Sequence, residues 1–197
     1  MARIQLKIQG ITDITAMKDN SLIVMTDVNE QRQLSIVCDR YMRHEFASRY
    51  RMKMQTENAD KATADNSVKT NLKTALPETL GTIIKDIAGL QLEVVIVNVF
   101  DGQYIAVIED KTSGLSLPID VAAGALMCYA NDLQLCIEES LWARQSVPYL
   151  GRKAQGVALP LNTLTLDMLK QALDKCIKEE RYELAKQLKE EIDRRDK

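Results

Sequence analysis

The chain has 197 residues, 46% of them hydrophobic and 27% charged, with a formal net charge of −2. That length holds one domain with a proper core plus a small appendage. The near-neutral charge excludes a protein that coats nucleic acid by bulk charge, though not a local basic patch. No apolar stretch is long enough to cross a bilayer, and the start, Met-Ala-Arg-Ile-Gln-Leu-Lys-Ile, lacks the apolar run of a signal peptide. Cys38, Cys128, Cys136 and Cys176 are scattered with no Cys-x-x-Cys pair, which reads as reduced, buried thiols in a cytoplasmic protein.

Residues 3–8 alternate polar and apolar as a strand, and Ser21–Val28 and Gln33–Cys38 read as two more around a polar turn. The period then changes. Met42, Phe46, Tyr50 and Met54 recur every four residues, so 39–54 is expected to be a helix with that face inward. Residues 55–75 are polar, with few large apolar groups, and read as a mobile insertion. Leu76-Pro77-Glu78 opens a helix with proline in its first turn. Leu80, Ile83, Ile84 and Ile87 are expected to face the core, and Gly89 ends the helix.

Leu92–Phe100 is the strongest strand pattern, turned by Asp101-Gly102 into Tyr104–Glu109. Leu115–Asp120 is a further strand, Val121–Ala130 a buried helix of small residues, Leu133–Ile137 a strand and Glu138–Arg144 a short helix. Trp142 either lids the core or meets a second copy. Residues 147–164 hold Pro148, Gly151, Gly156 and Pro160, the composition of a linker. Strands interspersed with helices, without a repeated βαβ unit, predict an α+β fold with a mixed or antiparallel sheet.

The last residues predict a C-terminal helical hairpin over 165–197. Leu166, Leu169, Leu173 and Ile177 mark one apolar stripe, and Tyr182, Ala185, Leu188 and Ile192 a second, with charged residues between. So few large apolar groups do not offset the ordering of about thirty residues. The stripe is therefore expected to need a partner, either a second copy or another protein.

Among polar candidates, Arg40, Arg43, Arg49, Arg51 and Lys53 cluster with Tyr41, Phe46 and Tyr50, a mixture that could grip phosphates and stack bases. The same spacing also describes a solvated helix face. His44 is the only histidine, and nothing places a Ser or Cys and an acid around it in the order of a nucleophilic triad.

Two resemblances complete this reading. Leu173, Glu180, Tyr182, Glu183, Ala185, Leu188 and Ile192 resemble the UVR motif, a helical hairpin that mediates subunit contacts in bacterial excision repair. The run Val94–Ala106 through Asp101-Gly102, then Pro118-Ile119-Asp120 and a small-residue helix, is similar to the bifunctional nuclease domain family, over about residues 3–145. That resemblance implies an α+β domain (1–146), a homodimer, and metal-assisted hydrolysis of DNA or RNA phosphodiesters with magnesium or manganese. Asp120 is the one acid it nominates as catalytic. Where the family continues with Ala-Arg-Pro-Ser-Asp, this chain has Val121-Ala122-Ala123-Gly124, so the polar neighbours of Asp120 are missing. The rival expectation is a catalytically silent oligomeric module that recruits a partner through its hairpin.

Overall fold

The structure is a computed structural model describing residues 2–14, 20–57 (backbone alone from 52), 75–149, 151 and 164–195. Residues 58–74 of the insertion expected at 55–75 and most of the expected linker fall outside the described residues, while 55–57 continue a helix. The fold is α+β. Eight described strands form one sheet: β1 (Arg3–Asp13), β2 (Asn20–Asp27), β3 (Arg32–Asp39), β4 (Leu92–Phe100), β5 (Gln103–Asp110), β6 (Ser116–Ile119), β7 (Gln134–Glu138) and β8 (Val147–Pro148). Their order is β6-β5-β4-β7-β1-β2-β3-β8. Two antiparallel meanders, β1–β3 and β4–β6, are joined by β7, which pairs antiparallel with β1 and parallel with β4. The helices are α1 (Arg40–Glu57), α2 (Leu76–Thr82, continued by a π turn, Ile83–Ile87), α3 (Val121–Asn131), α4 (Glu139–Gln145), α5 (Leu166–Lys178) and α6 (Tyr182–Arg195).

One sheet face carries Leu6, Ile23, Met25, Ile36, Val94 and Ile96, packed against Phe46 of α1, Ala125 of α3 and Trp142 of α4. Each such aliphatic side chain contributes about 1.5–3 kcal/mol on burial. Trp142 therefore belongs to the core. Two β-bulges keep this face continuous. On β1, Ile8 pairs with Met25 and Gly10 with Val24, leaving Gln9 as the extra residue. The inserted residue flips the alternation, so Ile4, Leu6 and Ile8 are followed on the core side by Ile11. Gln9 is buried and donates to Thr26 Oγ1 at 2.9 Å and Glu30 Oε1 at 3.0 Å. On β4 the extra residue is Val97, and the core row passes from Val94 and Ile96 to Val99. This is why alternation in the sequence stops at residue 8 while the strand runs to Asp13.

Asp101 and Gly102 both have positive φ (45° and 73°), as the tight turn between β4 and β5 requires. Gly124 lets α3 press onto β4, since a Cβ there would lie 2.9 Å from Val94 Cγ1. The sheet also extends beyond the expected domain end. Val147 and Pro148 pair with Gln33 and Arg32, and Tyr149 N–H donates to Gln31 O at 2.9 Å. Proline is tolerated there because β8 is an edge strand.

Two sequence expectations are corrected. The first concerns α2, whose face Leu80, Ile83 and Ile87 is exposed to solvent, with Ile84 half-buried. The second concerns the hairpin. Its buried residues are Leu169, Ala172 and Cys176 on α5 and Ala185, Leu188 and Ile192 on α6, closed by Leu164 from the expected linker. Leu166 and Leu173 are half-buried at the margin, while Ile177 (53% exposed) and Tyr182 (68% exposed) lie outside. Leu169, Ala185, Leu188 and Ile192 are inside as expected, but past Leu169 the α5 stripe sits one residue off, because the small Ala172 and Cys176, not Leu173 and Ile177, occupy the helix–helix contact. The hairpin thus covers its own apolar face, and Val37 of β3 packs against the same cluster. Arg195 clamps it to the β4–β5 turn, donating to Asp101 Oδ1 at 3.2 Å and Leu164 O at 2.6 Å.

Candidate functional site

Asp120 stands at the junction of β6 and α3, where the strand ends and a helix of small residues begins. Its side chain is exposed and accepts a hydrogen bond from Ala123 N–H at 2.8 Å, which makes it the N-cap of α3. A cap satisfies an otherwise unpaired helix donor and binds one carboxylate oxygen to the backbone. The next residues, Val121, Ala122 and Ala123, offer no further oxygen or nitrogen ligand from their side chains. Among the described residues no three His, Cys, Asp or Glu side chains are grouped as metal ligands. The described residues around Asp120 therefore do not by themselves fit a divalent metal, whose sites are built from several converging oxygens.

The expected cationic cluster on α1 divides. Arg49 is buried, with 4% of its side chain exposed, and makes a two-pronged pair to Glu78 of α2 (2.7 and 2.8 Å) plus a contact to Glu45 Oε2 (2.8 Å). Burial pulls its pKa down, but hydrogen bonds to Glu78 and Glu45 outweigh that and hold it above its usual value. It is a strut between two helices, unavailable to phosphate. Arg43 pairs with Asp13 at 2.8 Å in the open, and Arg51 donates to Ala47 O at 3.2 Å. Arg40 is exposed, and the side chain of Lys53 lies outside the described residues. Arg40, Arg43 and Arg51 thus share an exposed helix surface without Arg49.

His44 is exposed, with Nδ1 3.9 Å from Glu45 Oε1. All four cysteines are free and buried. Burial raises the Cys38 and Cys128 thiols to about 12, so neither is a ready nucleophile. On the opposite sheet face lies a charged network that sequence spacing does not reveal. Glu93 and Glu109 face each other across β4 and β5, and Arg3 donates to both, at 2.7 Å to Glu109. Lys111 adds a second cation 3.2 Å from Glu93. Two like charges opposite one another destabilise a strand pair unless cations bridge them, which gives Arg3 and Lys111 a structural role. A cleft of about 490 Å³ lies between Phe100, Asp101 and Gln145 of the domain and Leu166, Glu191 and Arg194 of the hairpin. It borders the Asp101–Arg195 clamp and is the seam where the hairpin meets the domain.

The most unusual surface is α2. It docks through its small and polar side: Gly81 is buried against Asn131, Glu78 meets Arg49, and Lys85 donates to Asn131 O. Asn131 Nδ2 returns a bond to Pro77 O at 2.8 Å. The apolar side, Leu76, Leu80, Ile83, Ile87 and then Leu90, faces outward. Asp110 ties the end of this segment to the β5–β6 turn: its Oδ1 accepts from Gln91 N–H at 3.0 Å and its own N–H donates to Leu115 O at 2.9 Å. Exposed Leu115 and Leu117 thus lie at the same end of the molecule as Leu90.

Hydrogen bonds from Ser113, then from Gln91, hold the Asp110 carboxyl below its usual value. A lowered folded-state pKa gives stability that is complete above the unfolded value and lost as pH falls through the folded one. Asp110→Asn is therefore expected to be less stable than the parent at pH 7, with the difference shrinking below about pH 4. Urea unfolding of both proteins at the two pH values measures it; a constant difference would refute it.

Compared with known proteins, the chain matches no family model and no curated protein. No described helix is long and apolar enough to cross a membrane.

Proposed function

We propose that this protein is a binding and assembly module: a bifunctional-nuclease-like α+β domain that works by associating with other protein chains. The observation that carries this reading is α2, docked by its polar side with its apolar side in solvent. A surface helix normally does the reverse, and a contiguous exposed apolar patch marks an interaction site. The hairpin supports the same reading at its turn, where exposed Ile177 and Tyr182 flank the connection between α5 and α6 and suit recruitment of a second protein. Free, buried thiols fit a reducing, cytoplasmic setting.

Hydrolysis of DNA or RNA phosphodiesters is the second reading. It is favoured by the exposed Asp120 carboxylate after β6 and by exposed Arg40, Arg43 and Arg51. One experiment separates the two. Wild-type and Asp120→Asn protein are incubated with labelled single- and double-stranded DNA and RNA plus magnesium or manganese. The assembly reading expects no cutting by either protein. Cutting that disappears in Asp120→Asn would replace it with the hydrolase.

A further inference from the structure

We propose that the outward face of α2 is where two copies of this chain meet, one α2 lying antiparallel to the other across a two-fold axis. The inference rests on the assembly reading and names its partner. Its first support is spacing. Leu76, Leu80, Ile83 and Ile87 are separated by four, three and four residues, a sequence of gaps that reads the same in both directions. An isologous contact requires a surface to meet its own copy reversed. An axis passing between Gly81 and Thr82 sets Leu80 against the second copy's Ile83 and Leu76 against its Ile87. Four layers of aliphatic contact result from one stripe.

Charge is the second support. The stripe carries none, because Glu78 and Lys85 turn to the domain and are occupied by Arg49 and Asn131 O. Asp86 lies on the flank. In an antiparallel pair the two Asp86 residues stand near opposite ends. In a parallel pair they would be side by side.

Area is the third. Leu76 and Ile87 are 70% and 77% exposed, and Leu80, Ile83 and Leu90 about two-fifths each. Covering these in two copies removes roughly 1,000 Å², the lower bound of a specific interface. Exposed Leu115 and Leu117, at the same end of the molecule, can extend the contact.

Mass measurement by size exclusion with light scattering tests the association in the full-length protein. The wild type is expected to run as two chains, and Leu80→Glu/Ile83→Glu as one, a halving of mass with unchanged circular dichroism. Both positions are exposed, so the variant should fold; a misfolded one is replaced by Leu76→Ser/Ile87→Ser. A monomeric wild type, or a folded variant that stays dimeric, overturns the proposal. Orientation is read by disulfide trapping, since the native cysteines are buried. A mixture of Leu76→Cys and Ile87→Cys proteins should yield the mixed cross-link, while neither alone should, two copies of position 76 lying about 16 Å apart along the axis. Cross-linking of either alone, or none in the mixture, overturns the antiparallel arrangement. Failure here leaves the nucleic-acid cutting assay untouched, so loss of this partner and loss of the assembly reading are told apart.

Discussion

Arg49→Ala is expected to destabilise the folded domain by about 3 kcal/mol, the lower end of the range for removing one partner of a buried ion pair. Arg49 has 4% of its side chain exposed and is held by both oxygens of Glu78 and by Glu45. Removing it leaves two carboxylates, each with 20% of the side chain exposed, facing each other without a cation. It also frees α2 from α1, while the contacts with Asn131 remain: the close fit of Gly81, the bond to Pro77 O and the bond from Lys85. Arg49→Lys should recover only part of the loss, because an ammonium cannot form the paired bonds of a planar guanidinium. Arg43→Ala, which opens an exposed pair with Asp13, should cost below about 1 kcal/mol. Urea unfolding followed by circular dichroism gives all three values. A loss under about 1 kcal/mol for Arg49→Ala would mean that this strut does not hold α2.

Leu188→Ala should cost about 2–5 kcal/mol, the usual range for emptying a fully buried leucine site. Leu188 is 0% exposed, enclosed with Leu164, Leu169 and Cys176, so nothing but rearrangement of the hairpin can fill the space. Ile177→Ala, on the same hairpin but 53% exposed, should change stability by under about 0.5 kcal/mol. Leu188 is buried as its spacing predicts, so Ile177→Ala is the arm that checks the corrected phase of α5. With the expected phase of that helix, Ile177 would be costly too. The hairpin's described polar hold on the domain is the Asp101 turn, through Arg195 and, at 3.5 Å, Leu166 N–H. An exposed pair of that kind adds little. The helical signal in Leu188→Ala is therefore expected to melt below the main transition, while the sheet signal stays near its parent value. A single coincident transition would show that the hairpin and the sheet unfold as one unit.

The candidate sites were legible to differing degrees. Asp120 is legible as a residue between strand and helix, and its cap role follows from that place; a cap and a catalytic acid look alike until the bond to Ala123 N–H is seen. The α1 cations are legible as a cluster, but a helical wheel does not say that Glu78, from another helix, reaches Arg49. Asp101 reads as a turn residue and is one, with φ of 45°. Its second task, receiving Arg195, joins residues far apart in the chain and leaves no trace in spacing. Arg3, Glu93, Glu109 and Lys111 likewise meet only in the folded sheet.

From the sequence alone came the α+β class, the order of the main strands and helices, the Asp-Gly turn and the paired C-terminal helices. These depend on periodicity and turn chemistry, which act over a few residues. The inward faces of α1 and α6 also follow from periodicity, whereas tertiary structure decided which side is inside along β1, β4, α2 and the end of α5. The bulges at Gln9 and Val97 re-phase two strands. Ala172 and Cys176 set the hairpin contact because small residues let helices approach. Gly81 and Glu78 turned α2 over, since a close fit on Asn131 and a buried ion pair with Arg49 hold its polar side to the domain and leave its apolar stripe exposed.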